Sequence, residues 1–193
     1  MKERNIILAS ASPRRKELLD QIGLKHRVIS STDREIIEEG ISPQNVAMSL
    51  AIQKAKAVSK KISGNYLIIA ADTVVSADKV LGKPQGEQQA FEMLKALRDR
   101  WHEVVTGIAI IDTLDNRMTS FYEITKVKMR AYQDSEIDAY INSGEPMDKA
   151  GSYGIQGLGA LLVERIEGCY FNVVGLPIQK LGEILKDFDV SVL

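Results

Sequence analysis

Several features that would narrow the chemistry are scarce or missing in these 193 residues. There is a single cysteine, Cys169. That excludes an intrachain disulfide and argues against a cysteine-rich zinc site or a secreted scaffold, so Cys169 reads as a core or near-surface thiol. The two histidines, His26 and His102, have no histidine or cysteine at ligand spacing. Both read as structural or surface groups rather than metal ligands. Neither sign of charge dominates: a formal net charge of −1 with 26% charged residues creates no field to attract a nucleic acid polymer or an anionic membrane. Any anion site must therefore be a local cluster. Long apolar runs are missing too, since the first, Ile6 to Ala9, is too short for a signal peptide or a span. The expectation is a soluble, cytoplasmic protein. Internal repeats, low-complexity stretches and linkers are not found. A hydrophobic content of 45% suffices for a sizeable core in a chain of this length, and one domain over residues 1–193, with room for two lobes, is expected.

What the chain does have is organised around Leu67 to Thr73. The apolar run Leu67-Ile68-Ile69-Ala70-Ala71 reads as a strand buried on both faces, in the middle of a parallel or mixed sheet. Asp72 follows directly. A carboxylate cannot stay unpaired in that interior, so Asp72 is expected at the strand's carboxyl end, where open α/β sheets gather ligands. A turn-capping role through its own backbone is the alternative.

Upstream, the short strand Ile6 to Ala9 runs into Ser10-Ala11-Ser12-Pro13-Arg14-Arg15. Ser12 at the N-cap and Pro13 at the first helical position announce a helix with Leu18, Leu19 and Ile22 on its buried face, stopped by Gly23. Strand, turn and helix aim free backbone N–H groups and the positive helix end at one place, beside two hydroxyls and two guanidiniums. The pattern suits an anion, though solvated arginines after a capped helix start would look the same. The glycines of a Walker loop are missing, which excludes a P-loop.

Arg27 to Ser30 alternates as a second strand, and Ser31 to Gly40 is polar, carrying Asp33, Glu35, Glu38 and Glu39. One of these carboxylates beside Asp72 would complete an oxygen site for Mg²⁺, which takes one or two carboxylates plus substrate phosphates. Spacing does not select which. Ser42-Pro43 opens a second helix to about Ile62, whose stripe Ala47, Leu50, Ala51, Lys54, Val58 and Ile62 puts a lysine on the buried side. Lys54 either snorkels to the rim or reaches an anion at the sheet edge. The alanines around it suggest close packing on the sheet.

Val74, Val75 and Ala77 to Leu81 form a hairpin-like pair leading to Gly82-Lys83-Pro84, and Gly86 to Arg98 reads as a helix. Two long alternating strands, His102 to Asp112 and Met118 to Ala131, are joined at Asp115-Asn116. A short helix over Asp134 to Ser143, capped by Asp134 or Ser135, ends at Gly144. The glycines between Gly151 and Gly159 would let backbone approach a ligand closely, and Gln156 offers donor and acceptor to a base edge. Ala160 to Ile166 reads as a strand, Gly168 to Pro177 as a turn-rich connection, and Ile178 to Phe188 as a closing amphipathic helix.

The set Ser10-Ala11-Ser12-Pro13-Arg14-Arg15, Lys54 in Gln-Lys-Ala-Lys-Ala, Ala71-Asp72-Thr73, Gly82-Lys83-Pro84 and Asp148-Lys149-Ala150-Gly151-Ser152-Tyr153-Gly154-Ile155-Gln156-Gly157 resembles the Maf family of nucleoside triphosphate pyrophosphatases, historically called septum formation inhibitors. The likeness is collinear from about Ile6 to Phe188. The double arginine and the Tyr-Gly-Ile-Gln-Gly loop resemble the branch that hydrolyses dTTP and UTP. The branch acting on 7-methyl-GTP usually differs at the first arginine and carries a Glu-containing sequence in place of this loop.

The resemblance implies an α/β fold with an extended mixed sheet flanked by helices, in two lobes with a central cleft, commonly as a homodimer. It implies hydrolysis of a nucleoside triphosphate to the monophosphate and pyrophosphate, with Mg²⁺ or Mn²⁺. Carried over by motif, Asp72 is the catalytic acid/base residue; Arg14, Thr73 and Gln156 tune substrate choice; Ser10, Arg15, Lys54 and Lys83 hold phosphates. The family's paired acids in the acidic loop align with Arg34-Glu35, so Glu35, with Asp72, matches a metal ligand, while the first acid is lost and Asp33 is the available substitute. Chemically, Gln156 can pair with the N3–H and O4 edge of thymine or uracil, and a buried hydrogen bond left unmade costs about 1–3 kcal/mol, which favours preference over exclusion. The competing class is a nucleotide-binding regulator of septum formation with little turnover, which Arg34 in place of an acid would favour.

Overall fold

The computed structural model describes residues 4–38 and 40–193. Glu39 of the acidic loop lies outside them. The element order is β1 (Ile6–Leu8), α1 (Pro13–Gln21), β2 (Arg27–Val28), α2 (Pro43–Ser59), β3 (Leu67–Ser76), β4 (Val80–Leu81), α3 (Glu87–Leu97), β5 (Trp101–Asp112), β6 (Met118–Met129), α4 (Asp134–Asn142), β7 (Val163–Glu167), α5 (Tyr170–Val174) and α6 (Ile178–Leu185). The strands form one mixed seven-stranded sheet in the order β2-β1-β3-β5-β6-β7, with β4 pairing β3. The α/β class and the mixed sheet with flanking helices are those expected. By its internal contacts the chain divides into two compact units.

The first unit comprises Met1–Asp72, Thr106–Glu123 and Gly175–Leu193. Here β1 pairs in parallel with β2 (Ile7 opposite Arg27) and with β3 (Ile6 opposite Leu67). Ile7, Ile68, Ala70, Ala109 and Ile111 form a core with Ala51, Ala55 and Val58 of α2. Burying each large aliphatic side chain there contributes about 1.5–3 kcal/mol. The alanines act as the sequence suggests, because they bring the α2 backbone down onto the sheet. A Cβ on Gly107 of β5 would lie 2.3 Å from the Ala47 carbonyl carbon, so only glycine fits there. Both Ser-Pro starts are used. Ser42 accepts a hydrogen bond from the Asn45 N–H at 3.3 Å, whereas Ser12 caps α1 without a side-chain bond. Gly23, at φ +69°, stops α1 by donating its N–H to Asp20 O at 2.9 Å.

The second unit comprises Thr73–Val105 and Ile124–Val174. Its core packs Leu94 and Leu97 of α3, Ile137 and Tyr140 of α4, Val127 and Met129 of β6, and Tyr132 and Tyr153. The Tyr132 hydroxyl is satisfied by Leu94 O at 2.6 Å. Strand β7 pairs antiparallel with β6, and the β3–β4 hairpin closes at Ala77 N to Lys79 O.

Four local expectations need correction. Strand β3 does not stop at Asp72 but continues to Ser76, because Val74 and Val75 are buried again and Asp72 has a charged partner that lets it sit inside a strand. The α4 cap is Gln133, whose N–H bonds the Glu136 carboxylate at 2.8 Å, not Asp134 or Ser135. The first half of the Ala160–Ile166 strand is a 3₁₀ turn over Gly157–Leu162, and the connection after Gly168 holds the short helix α5. Among the described residues, no helix is long and apolar enough to cross a membrane.

Candidate active site

Five of the singled-out residues come together in the first unit. After β1, Ala9 still donates its N–H to Ile69 O at 2.7 Å, and the chain then turns through Ser10 into α1. The Ser10 hydroxyl oxygen accepts from the Ser12 N–H at 3.2 Å and from Arg15 Nη1 at 3.1 Å. Arg15 is buried, and its Nε donates to Gly175 O at 2.8 Å. The guanidinium is thus held in one orientation by the β1–α1 turn and by backbone far along the chain. Burial pushes its pKa down from the ordinary arginine value; Asp72 opposes this, Arg14 adds to it, and Glu35 opposes it again. An arginine retains its charge through such a shift. The turn therefore presents a fixed cation in the field of two carboxylates.

Those carboxylates meet at Lys54. The lysine stands on the buried stripe of α2, and its ammonium donates to Asp72 Oδ1 and lies 3.0 Å from Glu35 Oε1. In the folded chain it meets the protein's own carboxylates. Asp72 is only 9% exposed, and β1 no longer pairs beside it, since the β1–β3 register ends at Leu8 and Ile69. The strand continues, but its neighbour has turned away into α1. Asp33 is elsewhere, on Lys61 at 2.8 Å, so of these two acids it is Glu35 that joins Asp72.

Two carboxylate oxygens converging on one cationic point are a fair match to a hard divalent ion, which takes one or two carboxylates and fills its remaining positions with water and phosphate. Among the described residues no group of three or more His, Cys, Asp or Glu side chains comes together, so a site complete without substrate is not found. Each histidine has a protein partner. His102 is buried with Nε2 2.7 Å from the Tyr153 hydroxyl, and burial pushes its pKa down to about 4. His26 Nδ1 lies 2.8 Å from Leu24 O.

Thr73, Lys83 and Gln156 belong to the second unit. Thr73 is half-buried in β3, directly after Asp72. Lys83 is exposed just beyond β4, and its loop is tied by the Gly151 N–H donating to Gly82 O at 3.0 Å. Gln156 is exposed at the residue preceding the 3₁₀ turn.

The loop carrying Gln156 is held by two residues that the sequence did not single out, Tyr140 of α4 and Glu145 just after that helix. Glycine spacing suggested backbone approach to a ligand. In the structure the protein's own atoms also crowd two of these glycines. A Cβ on Gly157 would lie 2.6 Å from Glu145 Oε2, and one on Gly159 would lie 2.5 Å from the Tyr140 hydroxyl. No local signal marks the two residues, apart from Glu145 directly following the left-handed Gly144 that ends α4.

The chain is 54% identical over 194 aligned residues, covering 97% of both chains, to a dTTP/UTP pyrophosphatase of Acetivibrio thermocellus. It is 49% identical, over 98% of its own length and all of the relative's, to a dTTP/UTP pyrophosphatase of Alkaliphilus oremlandii. Among solved structures, a nucleoside-triphosphatase / dITP/XTP pyrophosphatase from Mycobacterium abscessus aligns over 95% of this chain and 94% of its own at TM-score 0.49 and 15% identity, too slight a likeness to argue from. The family profile described as Maf-like protein matches residues 5–188, and the chain therefore belongs to the Maf family.

Proposed function

We propose that this protein is a nucleoside triphosphate pyrophosphatase that hydrolyses dTTP and UTP to the monophosphate and pyrophosphate. What supports the reading most directly is the convergence of Lys54, Glu35 and Asp72 in the field of the buried Arg15, within a family whose curated relatives carry that activity.

The chemistry follows from charge and proton balance. Water attacks the α-phosphorus, the bond from that phosphorus to the α,β-bridging oxygen breaks, and pyrophosphate leaves. Asp72 orients the water and accepts its proton. Arg15, fixed by Ser10 and Gly175 O, and Lys54 neutralise charge on the phosphates and on the leaving group. Nucleotide phosphates compete with Asp72 and Glu35 for the Lys54 ammonium, which frees carboxylate oxygens as substrate arrives. Mg²⁺ or Mn²⁺, held by Asp72 and Glu35, would screen the phosphates when bound. Lys83 holds phosphate, Arg14 and Thr73 tune substrate choice, and Gln156 pairs with the N3–H and O4 edge of the pyrimidine. That the protein works as a homodimer in the cytoplasm, on nucleotide pools and with a link to cell division, rests on the family resemblance.

The test is pyrophosphate release by purified protein with Mg²⁺ or Mn²⁺ across dTTP, UTP, CTP, ATP, GTP and 7-methyl-GTP. Rapid release from dTTP and UTP, with slower release from the other nucleotides, is expected. Release from 7-methyl-GTP alone would move the chain to the other branch, and binding of dTTP without release would make it a nucleotide-binding regulator.

A further inference from the structure

Gln156 can read a base only if the backbone that carries it is held still, yet it sits in an exposed loop with glycines at Gly154, Gly157 and Gly159. A glycine-rich loop has the largest conformational freedom to lose. The structure restrains it at one point on either side of Gln156. On the near side the Gly154 N–H donates to the Tyr140 hydroxyl oxygen at 3.2 Å. That hydroxyl in turn donates to Glu145 Oε1 at 2.9 Å. On the far side Glu145 Oε2 accepts the Leu158 N–H at 2.9 Å, and Oε1 accepts the Gly159 N–H at 3.0 Å. One carboxylate and one phenol thus bridge the segment from residue 154 to residue 159.

We propose that Glu145, seated by Tyr140, is a positioning residue for base selection: it fixes the loop so that Gln156 presents its amide in one orientation. The proposal rests on the reading of Gln156 as the base contact.

Glu145 is itself well held. Its N–H donates to Ser143 Oγ at 3.2 Å, and its carbonyl oxygen accepts from the Lys149 ammonium. Burial works to raise its pKa, but the hydrogen bonds from Gly159, Leu158 and Tyr140 outweigh that and hold it below the ordinary glutamate range, so it is ionised and acceptor-only at neutral pH. The glycines have a reason on the same account. At Gly157, φ is +67° and a side chain would strike the carboxylate; at Gly159 it would strike the Tyr140 hydroxyl and Gly154 O. The carboxylate grips the loop beyond Gln156 through two backbone donors, and the phenol it seats grips the loop before Gln156 through a third, so the pair flanks a residue that itself makes no bond to the clamp.

The experiment compares kcat and KM for dTTP and ATP in the wild type, Gln156→Ala, Glu145→Gln, Tyr140→Phe and the double variant Gln156→Ala/Glu145→Gln, with thermal melts of each. Gln156→Ala lowers the dTTP-over-ATP preference in kcat/KM by about tenfold, the loss expected for one buried hydrogen bond. Glu145→Gln and Tyr140→Phe each lower it by about three- to tenfold, mostly through a higher KM for dTTP, because a misplaced amide makes the bond poorly. In the double variant the Glu145 change adds nothing further to the loss of preference, since it acts through Gln156. Equal losses on dTTP and ATP in the two clamp variants would reduce Glu145 to support of the fold and overturn the proposal. An unchanged preference in both, with Gln156→Ala lowering it, would overturn the proposal and leave the Gln156 reading standing. An unaltered preference in Gln156→Ala would overturn the base-contact reading and the proposal with it. Should Glu145→Gln fail to fold, Tyr140→Phe, which keeps the ring and removes only the shared hydroxyl, decides the matter on the same ratios.

Discussion

Replacing Asp72 with asparagine keeps the side chain's shape but removes one negative charge and one proton acceptor. Two consequences of different size follow. Breaking a fully buried pair costs about 3–5 kcal/mol, but Lys54 keeps Glu35 at 3.0 Å and its side chain is 18% exposed, so about 1–2 kcal/mol of stability is lost. For a chain of this length that lowers Tm by about 2–8 °C and leaves the protein folded at 25 °C. The catalytic consequence is larger. A positioned base is worth about 10²- to 10⁴-fold, or about 2.7 to 5.4 kcal/mol of activation barrier. Nucleotide binding moves the other way, since the variant lacks a carboxylate that competes with phosphates for Lys54. Turnover on dTTP should therefore fall by two to four decades, about the span a base contributes, with KM unchanged or lower. Pyrophosphate release at saturating dTTP and metal, with a melt beside it, reads both quantities. Turnover within about tenfold of wild type in a folded variant would refute the assignment, because a base of ordinary worth cannot be lost so cheaply.

Three further outcomes are expected. Glu35→Gln raises the Mg²⁺ concentration for half-maximal activity about tenfold or more, with a smaller loss of turnover at saturating metal than Asp72→Asn, as metal titration of pyrophosphate release will show. Gly107→Ala forces a methyl group to within 2.3 Å of the Ala47 backbone in the first unit and destabilises by about 1–3 kcal/mol or more, measured by urea unfolding; near-wild-type stability would mean that α2 lies farther from the sheet. His102, only 3% exposed, has its pKa pushed from 6.5 to about 4 by burial, so the unfolded chain binds a proton that the folded one refuses. Stability is full above pH 6.5 and declines as pH falls toward 4, by on the order of 3 kcal/mol, and His102→Gln flattens that part of the pH–Tm profile.

Much of this molecule is legible along the chain because its signals are local. Ser12-Pro13 and Ser42-Pro43 mark helix starts, Gly23 a helix end, and Leu67 to Ala71 a doubly buried strand, since each depends on groups a few residues apart. The motifs around Ser10, Lys54, Asp72, Lys83 and Gln156 likewise identify the family. Periodicity even flags Lys54 as misplaced on an apolar stripe. What it meets there is another matter. Its partner Asp72 lies 18 residues away, and Arg15 reaches Gly175 O across 160 residues. Whether Asp33 or Glu35 joins Asp72 is decided by which loop atom arrives beside an ammonium fixed by helix packing. The same holds for β3, which local rules end at a charged residue and which continues because a distant lysine neutralises that charge. Glu145 and Tyr140 carry no recognisable pattern at all, and only the folded loop brings their oxygens to the N–H groups flanking Gln156. Sequence by itself determined the elements, the family and the kinds of group available; tertiary structure alone decided which charges meet, because Coulomb and hydrogen-bond energies depend on separation in space rather than along the chain.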